Sequence, residues 1–213
     1  MMMGDRVFRK FLRASVRTAI IAAAGASVLV AIPASAQFSD GYKFLEAVKK
    51  RDGEAVTKAL GEPGSTIVNT RDISSGHTAL HLVVQRRDLV WVRFLLQAKA
   101  NPNVRDNNGV TPLELAASLR FIEGIEALAD AGANVDEPNS TGETALILAT
   151  HLKDADMAKV LLEKGANPDK SDNSGRSARD YAKIDGQRGP VLTLIENLDK
   201  VRGNGGTYGP AVR

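Results

Sequence analysis

Apolar positions recur along this chain on two length scales. Over short stretches they fall three and four residues apart, as in Leu89, Val92, Leu95 and Leu96, the spacing of one face of an α-helix. Over longer stretches whole patterns return at a fixed step. Glycines stand at 76, 109, 142 and 175, each 33 residues after the last, and hydroxyl residues at 78, 111, 144 and 177 keep that step. So do Leu95, Leu128, Leu161 and Leu194, and so do Asn101, Asn134 and Asn167. Self-similarity at such a period predicts a solenoid of stacked helical units, each too small to bury its apolar face alone.

Each unit has a physical reading. The glycine supplies the positive φ of a tight turn. The Thr or Ser two residues later is an N-cap, and Pro112 follows its cap at the first helical position, where a missing N–H is harmless. First helices are predicted over Ala79 to Arg87, Pro112 to Arg120 and Ala145 to Lys153, with small residues recurring for close contact. More apolar second helices follow over Leu89 to Ala98, Ile122 to Ala131 and Asp156 to Lys164. Gly132 and Gly165 end two of these in a left-handed cap. Lys99 stands at the same place in the first unit, where a left-handed backbone strains a non-glycine residue by about 1 kcal/mol. Trp91 and Phe94 fall on the second helix and read as core.

With Thr-Pro-Leu-Glu at 111 to 114 and Leu-Leu-x-x-Gly-Ala at 161 to 166, the sequence resembles the ankyrin repeat family, most strongly over 76 to 167. The resemblance implies an all-α ankyrin solenoid with β-turn hairpin tips, its repeats spanning 71–200 in about four units that start near 72, 106, 139 and 172. Residues 37–70 hold two amphipathic helices, Tyr42 to Lys50 and Glu54 to Leu60, and read as a degenerate N-terminal capping repeat of the kind stacked arrays require. In the terminal repeat Arg179 replaces the usual leucine, and Gly189-Pro190 is expected to shorten the second helix. The segment from Asp72 to Gly76 is one residue longer than Asp106 to Gly109, which predicts a different turn. The Gly-rich stretch within 201–213 reads as a flexible tail.

The resemblance implies a non-catalytic scaffold that binds a protein partner through its hairpin tips and the front of its first helices. By matching position the tip residues are Ser74, Ser75, His77, Arg105, Asn107, Asn108, Val110, Ser140, Thr141, Glu143, Asn173, Ser174 and Arg176. The helix-front residues are Gln85, Arg86, Ser118, Leu119, His151 and Leu152. Tip side chains are expected to pack on nothing in their own repeat and so to vary without unfolding it. Each singly also suits an ordinary solvated turn. On the same footing, changing Asn107 and Asn108 together is expected to leave stability nearly intact.

Composition then narrows the possibilities. The formal net charge is +3, but residues 1 to 36 carry five basic side chains and one acid. The remainder holds 23 basic and 24 acidic residues. The basicity, and with it a nucleic-acid reading, leaves with the first 36 residues. Those residues have the order of an export signal: basic residues from Arg6 to Arg17, an apolar run from Ala19 to Ile32, then Pro33 and small residues at Ala34 and Ala36. Cleavage is expected after Ala36, delivering the chain to the bacterial periplasm. A run of 14 residues is short of the roughly 20 that span a bilayer, so no stable membrane insertion is expected after cleavage. A membrane-tethered scaffold with the signal retained, and a secreted effector acting on a host protein, are the alternatives.

Residues 71–120 carry a net charge of +3 and residues 121–170 a net of −6. Along a stack this is a field able to orient a partner; it equally suits a solubilising surface. Glu123, Glu126, Asp154 and Asp156 read as acids near helix starts, where the macrodipole favours them. There is no cysteine, no Gly-x-Ser-x-Gly and no phosphate loop, so neither cofactor nor small-molecule substrate is expected. His77 and His81 have the spacing of a metal pair, but Thr78 between them is a cap. They need not share a face, and no third ligand is evident. His81 matches the family histidine that bridges neighbouring repeats.

Overall fold

A computed structural model of the chain describes residues 39–62, 66–184 and 189–203. Both the expected export signal with its expected cleavage point and residues 204–213 of the expected tail lie outside them. The helices run in pairs: α1 (Asp40–Lys50) with α2 (Gly53–Leu60), α3 (Ala79–Gln85) with α4 (Leu89–Gln97), α5 (Pro112–Ser118) with α6 (Ile122–Asp130), α7 (Ala145–His151) with α8 (Ala155–Glu163), and α9 (Ala178–Ile184) with α10 (Pro190–Arg202). A short 3₁₀ turn at Ile67–Asn69 follows α2. First helices pack side by side, α1 to α3 to α5 to α7 to α9, and second helices form another row from α4 through α6 and α8 to α10. Among the described residues no β-strand forms, and no helix is long and apolar enough to cross a membrane. The architecture is an all-α repeat solenoid.

The 33-residue step is the step of the core. Leu80, Leu113 and Leu146 occupy one buried column on the first helices, and Leu95, Leu128 and Leu161 another on the second. Small residues at Ala79, Ala116, Ala117, Ala145 and Ala149 are buried between helices. Trp91 and Phe94 pack edge to face, 5.6 Å apart, at the margin of the core.

First helices end two residues before the expected limits, at Gln85, Ser118 and His151. The cause is a left-handed residue, with φ of 54° at Arg87, 53° at Arg120 and 54° at Lys153; α1 closes alike at Arg51, φ 59°. At each end the left-handed residue and its successor donate back into the helix, as Arg87 does to Val84 and Asp88 to Val83. The same closure ends the second helices at Lys99 (φ 67°), Gly132 and Gly165. Lys99 thus adopts the expected strained geometry.

Asp52, Asp88 and Asp154 then cap α2, α4 and α8 through their carboxylates. In the third pair the capping position is Phe121, which makes no side-chain cap and lies buried against Gly124. A β-carbon at Gly124 would stand 2.3 Å from the Phe121 ring. Of the four acids expected near helix starts, Asp154 is a cap and Glu123 and Asp156 sit in first turns. Glu126 instead lies mid-helix and pairs with Lys164 of the next repeat at 3.5 Å.

The terminal pair departs from expectation in two ways. Pro190 opens α10 at its first turn rather than truncating it, and the helix runs 13 residues. The fully buried residue is then Ile195, while Leu194, which keeps the period, is only partly buried. Where the leucine column ends, Arg179 holds Asp169 and Asp199, each at 2.6 Å, a polar closure of the apolar stack.

Candidate protein-binding surface

Each hairpin tip is built by one side chain. Asp106 accepts the amides of Asn108 (2.8 Å) and Val110 (2.9 Å). Asn139 and Asp172 do the same for the second and fourth residues beyond them. In these three tips the glycine amide closes the turn three residues back. In the first, Gly76 closes four back onto Asp72, as the extra residue requires. Hydrogen bonds to the Ser75 and Ser74 amides and hydroxyls hold the Asp72 carboxyl well below the usual carboxylate range.

The tips are tied to one another, which the sequence reading missed. The Asn107 amide nitrogen donates to the Ser74 carbonyl at 2.9 Å, its oxygen accepts from Arg71 at 3.1 Å, and its backbone N–H donates to Ser75. Two periods on, Asn173 donates to Ser140, and its backbone to Thr141. Gly76 and Gly142 let these asparagines approach: a β-carbon there would meet them at 2.4 and 2.5 Å. The expectation that Asn107 is free of the fold is therefore corrected; Asn108, exposed at the outer corner of its turn, fits it.

The histidines also differ from expectation. The His77 and His81 rings share a face, stacked 5.3 Å apart and 3° from parallel. His81 is fully buried. Its Nδ1 accepts from the Thr78 backbone N–H, so its Nε2–H donates to the Val110 carbonyl of the next repeat at 3.0 Å. Burial holds its pKa below the ordinary value. With both nitrogens committed, it has no lone pair for a metal. His77 reaches Asp106 at 3.4 Å. Burial pushes the Asp106 carboxyl up, but the Val110 and Asn108 amides and the two histidines together bring it below its ordinary value. No group of three potential metal ligands occurs among the described residues.

The tip and helix-front residues differ in exposure and in what they touch. Ser74, Asn108, Ser140, Thr141, Asn173, Ser174 and Arg176 are exposed on the tips, and Gln85, Ser118, His151 and Leu152 along the first-helix row. Arg176 lies over the Tyr181 ring, and His151 meets the same ring edge to face at 4.4 Å. Leu119 and Val110 are half-buried. Arg105 is tied to Glu137 of the following repeat. Arg86 belongs to a joint rather than to the open face. It donates to the Val48 carbonyl at 2.7 Å, pairs with Asp88, and lies over Trp91.

Between the tips and the first-helix row, α5 and α7 leave an apolar cleft of about 260 Å³, lined among others by Val110, Glu114, Leu115, Ser118, Glu143 and Leu148. Leu115, Leu148 and Glu114 were not singled out from sequence. The signal was present: Leu82, Leu115 and Leu148 also keep the 33-residue step, yet stay only partly buried.

The family model for ankyrin repeats in three copies matches residues 44–139, and that for a single ankyrin repeat matches 141–173. The chain belongs to the ankyrin repeat family. The three-copy match begins inside α1. No curated protein matches the chain.

Proposed function

We propose that this chain is a non-catalytic scaffold that binds a protein partner through its hairpin tips and the exposed front of its first helices, working in the bacterial periplasm after cleavage behind Ala36. Ankyrin repeats generally mediate protein–protein interaction and are typically non-catalytic. The observation that carries the reading is the division of labour within each repeat. Columns at the 33-residue step hold the core. Asn108, Ser118, Thr141 and His151 stand exposed on rigid turns and helix ends and have no part in it. The export signal supports the location. A periplasmic pull-down with the chain from Gln37 is expected to retain a protein that Asn108→Arg, Ser118→Arg and His151→Glu together release. Retention unaffected by the triple change would place the interface elsewhere. Cell fractionation and N-terminal sequencing test the location. Recovery from culture medium, or a mature protein still carrying residues 1–36, overturns it.

A further inference from the structure

On the second-helix row, α4 and α6 leave an open groove of about 480 Å³ between them. Arg93, Leu96 and Gln97 line it from α4, and Glu126, Ala127, Asp130 and Ala131 line it from α6 and its cap. The 33-residue step relates one wall to the other. Arg93 and Glu126 are equivalent positions, so they stand at matching heights on adjacent, packed helices. Charge reverses between them. Arg93 is exposed and pairs with no carboxylate among the described residues. On the opposite wall Glu126 and Asp130, both about half exposed, share the ammonium of Lys164. Asp130 holds it closely at 2.7 Å and Glu126 more loosely at 3.5 Å. The α6 wall therefore keeps a negative charge in excess, with Glu126 the more available acid. Between the walls the floor is apolar, with Leu96 and Ala127 partly buried. Ala127 and Ala131 are the equivalents of Phe94 and Ala98, so Leu96 stands between them in height.

We infer that this groove is the interface of a dimer, in which a second copy of the chain lies back to back on the first. A two-fold axis running along the groove, parallel to α4 and α6, swaps the two walls and keeps the height of every residue. It sets Arg93 of each copy over Glu126 of the other, so that both charges are answered twice by one operation. The same rotation carries Leu96 of each copy over the gap between Ala127 and Ala131, where one-carbon side chains leave room for it. Cation and anion, projection and recess, all belong to a single groove, and all are matched when that groove meets itself. A guanidinium facing a carboxylate forms a charge-assisted pair, and its complementarity fixes the register of the two copies. Two helices a side make a small interface, of the weak and reversible class. The hairpin tips and first-helix fronts take no part, so such a dimer presents two partner-binding faces.

Sedimentation velocity of the full chain, loaded at roughly 1 to 500 μM to span weak pairing, is expected to show a concentration-dependent dimer. Arg93→Glu alone and Glu126→Arg alone should each weaken that dimer by about tenfold or more. Both side chains are exposed, so circular dichroism should show helical content unchanged. An equimolar mixture of the two variants should then dimerise, because each supplies the charge that the other lacks at both contacts. The double variant should pair with itself within about threefold of the wild type. A wild-type chain that stays monomeric throughout, single variants that dimerise like the wild type, or a mixture that stays monomeric would each overturn the inference. If the wild type is monomeric yet retains a protein that Arg93→Glu releases, the groove belongs to a foreign partner and the dimer is again overturned.

Discussion

At the scale of single residues, the fold turns on side chains that bridge neighbouring repeats. Asn107 and Asn108 are adjacent and look alike in sequence, but only Asn107 ties its tip to the one before it. Asn107→Ala should destabilise by about 1–2 kcal/mol through the bonds lost at Ser74 and Arg71. Asn108→Ala should change stability by less than about 0.5 kcal/mol. Chemical denaturation of the two single variants separates them, and equal effects would contradict the bridge. His81 makes a second bridge that only the neutral ring can complete, because Nδ1 must accept from Thr78. Its folded pKa lies below the ordinary 6.5, so the unfolded chain takes up the proton first. The stability it contributes is present above pH 6.5 and is lost as pH falls below that value towards the folded pKa. Melting temperatures between pH 7.5 and 5 should decline in the wild type and much less in His81→Gln. An imidazole signal titrating above 6.5 would refute the assignment. Such bridges were partly legible. The resemblance pointed to His81, whereas nothing at Asn107 distinguishes a free turn residue from one reaching 33 positions back.

At the scale of elements, sequence showed every helix pair but misplaced the ends of the first helices. The reason is chemical. Second helices end partly at glycines, which announce a left-handed turn; first helices end at Arg51, Arg87, Arg120 and Lys153, which do not. These basic residues sit at helix C-termini, where the dipole favours a cation. Two of them also reach the capping acid of the second helix in the next repeat, Arg51 to Asp88 at 3.1 Å and Arg120 to Asp154 at 2.7 Å. Arg87 finds Phe121 where an aspartate would stand and bonds the Leu119 carbonyl instead. The Phe121 exception also explains Gly124, a helix-interior glycine that propensity alone would replace. Gly124→Ala should therefore destabilise by about 1–3 kcal/mol through its clash with the ring, although alanine is the better helix former. In a Phe121→Asp background the same change should become neutral or stabilising. A double-mutant cycle measures this, and additive effects would show that the ring is not the obstacle.

At the scale of the whole stack, stability is shared between neighbours through three kinds of contact. Columns such as Leu95, Leu128 and Leu161 run through the second-helix row. A ladder of side-chain oxygens at Asn69, Asn103 and Asp136 accepts the amides of Asn101, Asn134 and Asn167 one repeat on. The asparagine period itself has a local cause: the Oδ1 of Asn101, Asn134 and Asn167 accepts the backbone N–H two residues on, at Asn103, Asp136 and Asp169. The cation-to-cap pairs form the third. Such coupling predicts different outcomes for equal lesions at different places. Leu128 lies in a central pair with repeats on both sides, so Leu128→Ala should lower the whole array in one transition, by about 2–5 kcal/mol. Ile195 is as deeply buried, but its pair has a neighbour on one side among the described repeats and is closed by Arg179 and its two aspartates rather than by leucine. Ile195→Ala should release α9 and α10 first. Hydrogen exchange would then show early loss of protection there, with α3 to α8 still intact. Uniform loss of protection in Ile195→Ala, or a Leu128→Ala defect confined to its own pair, would mean that the repeats do not share stability along the stack.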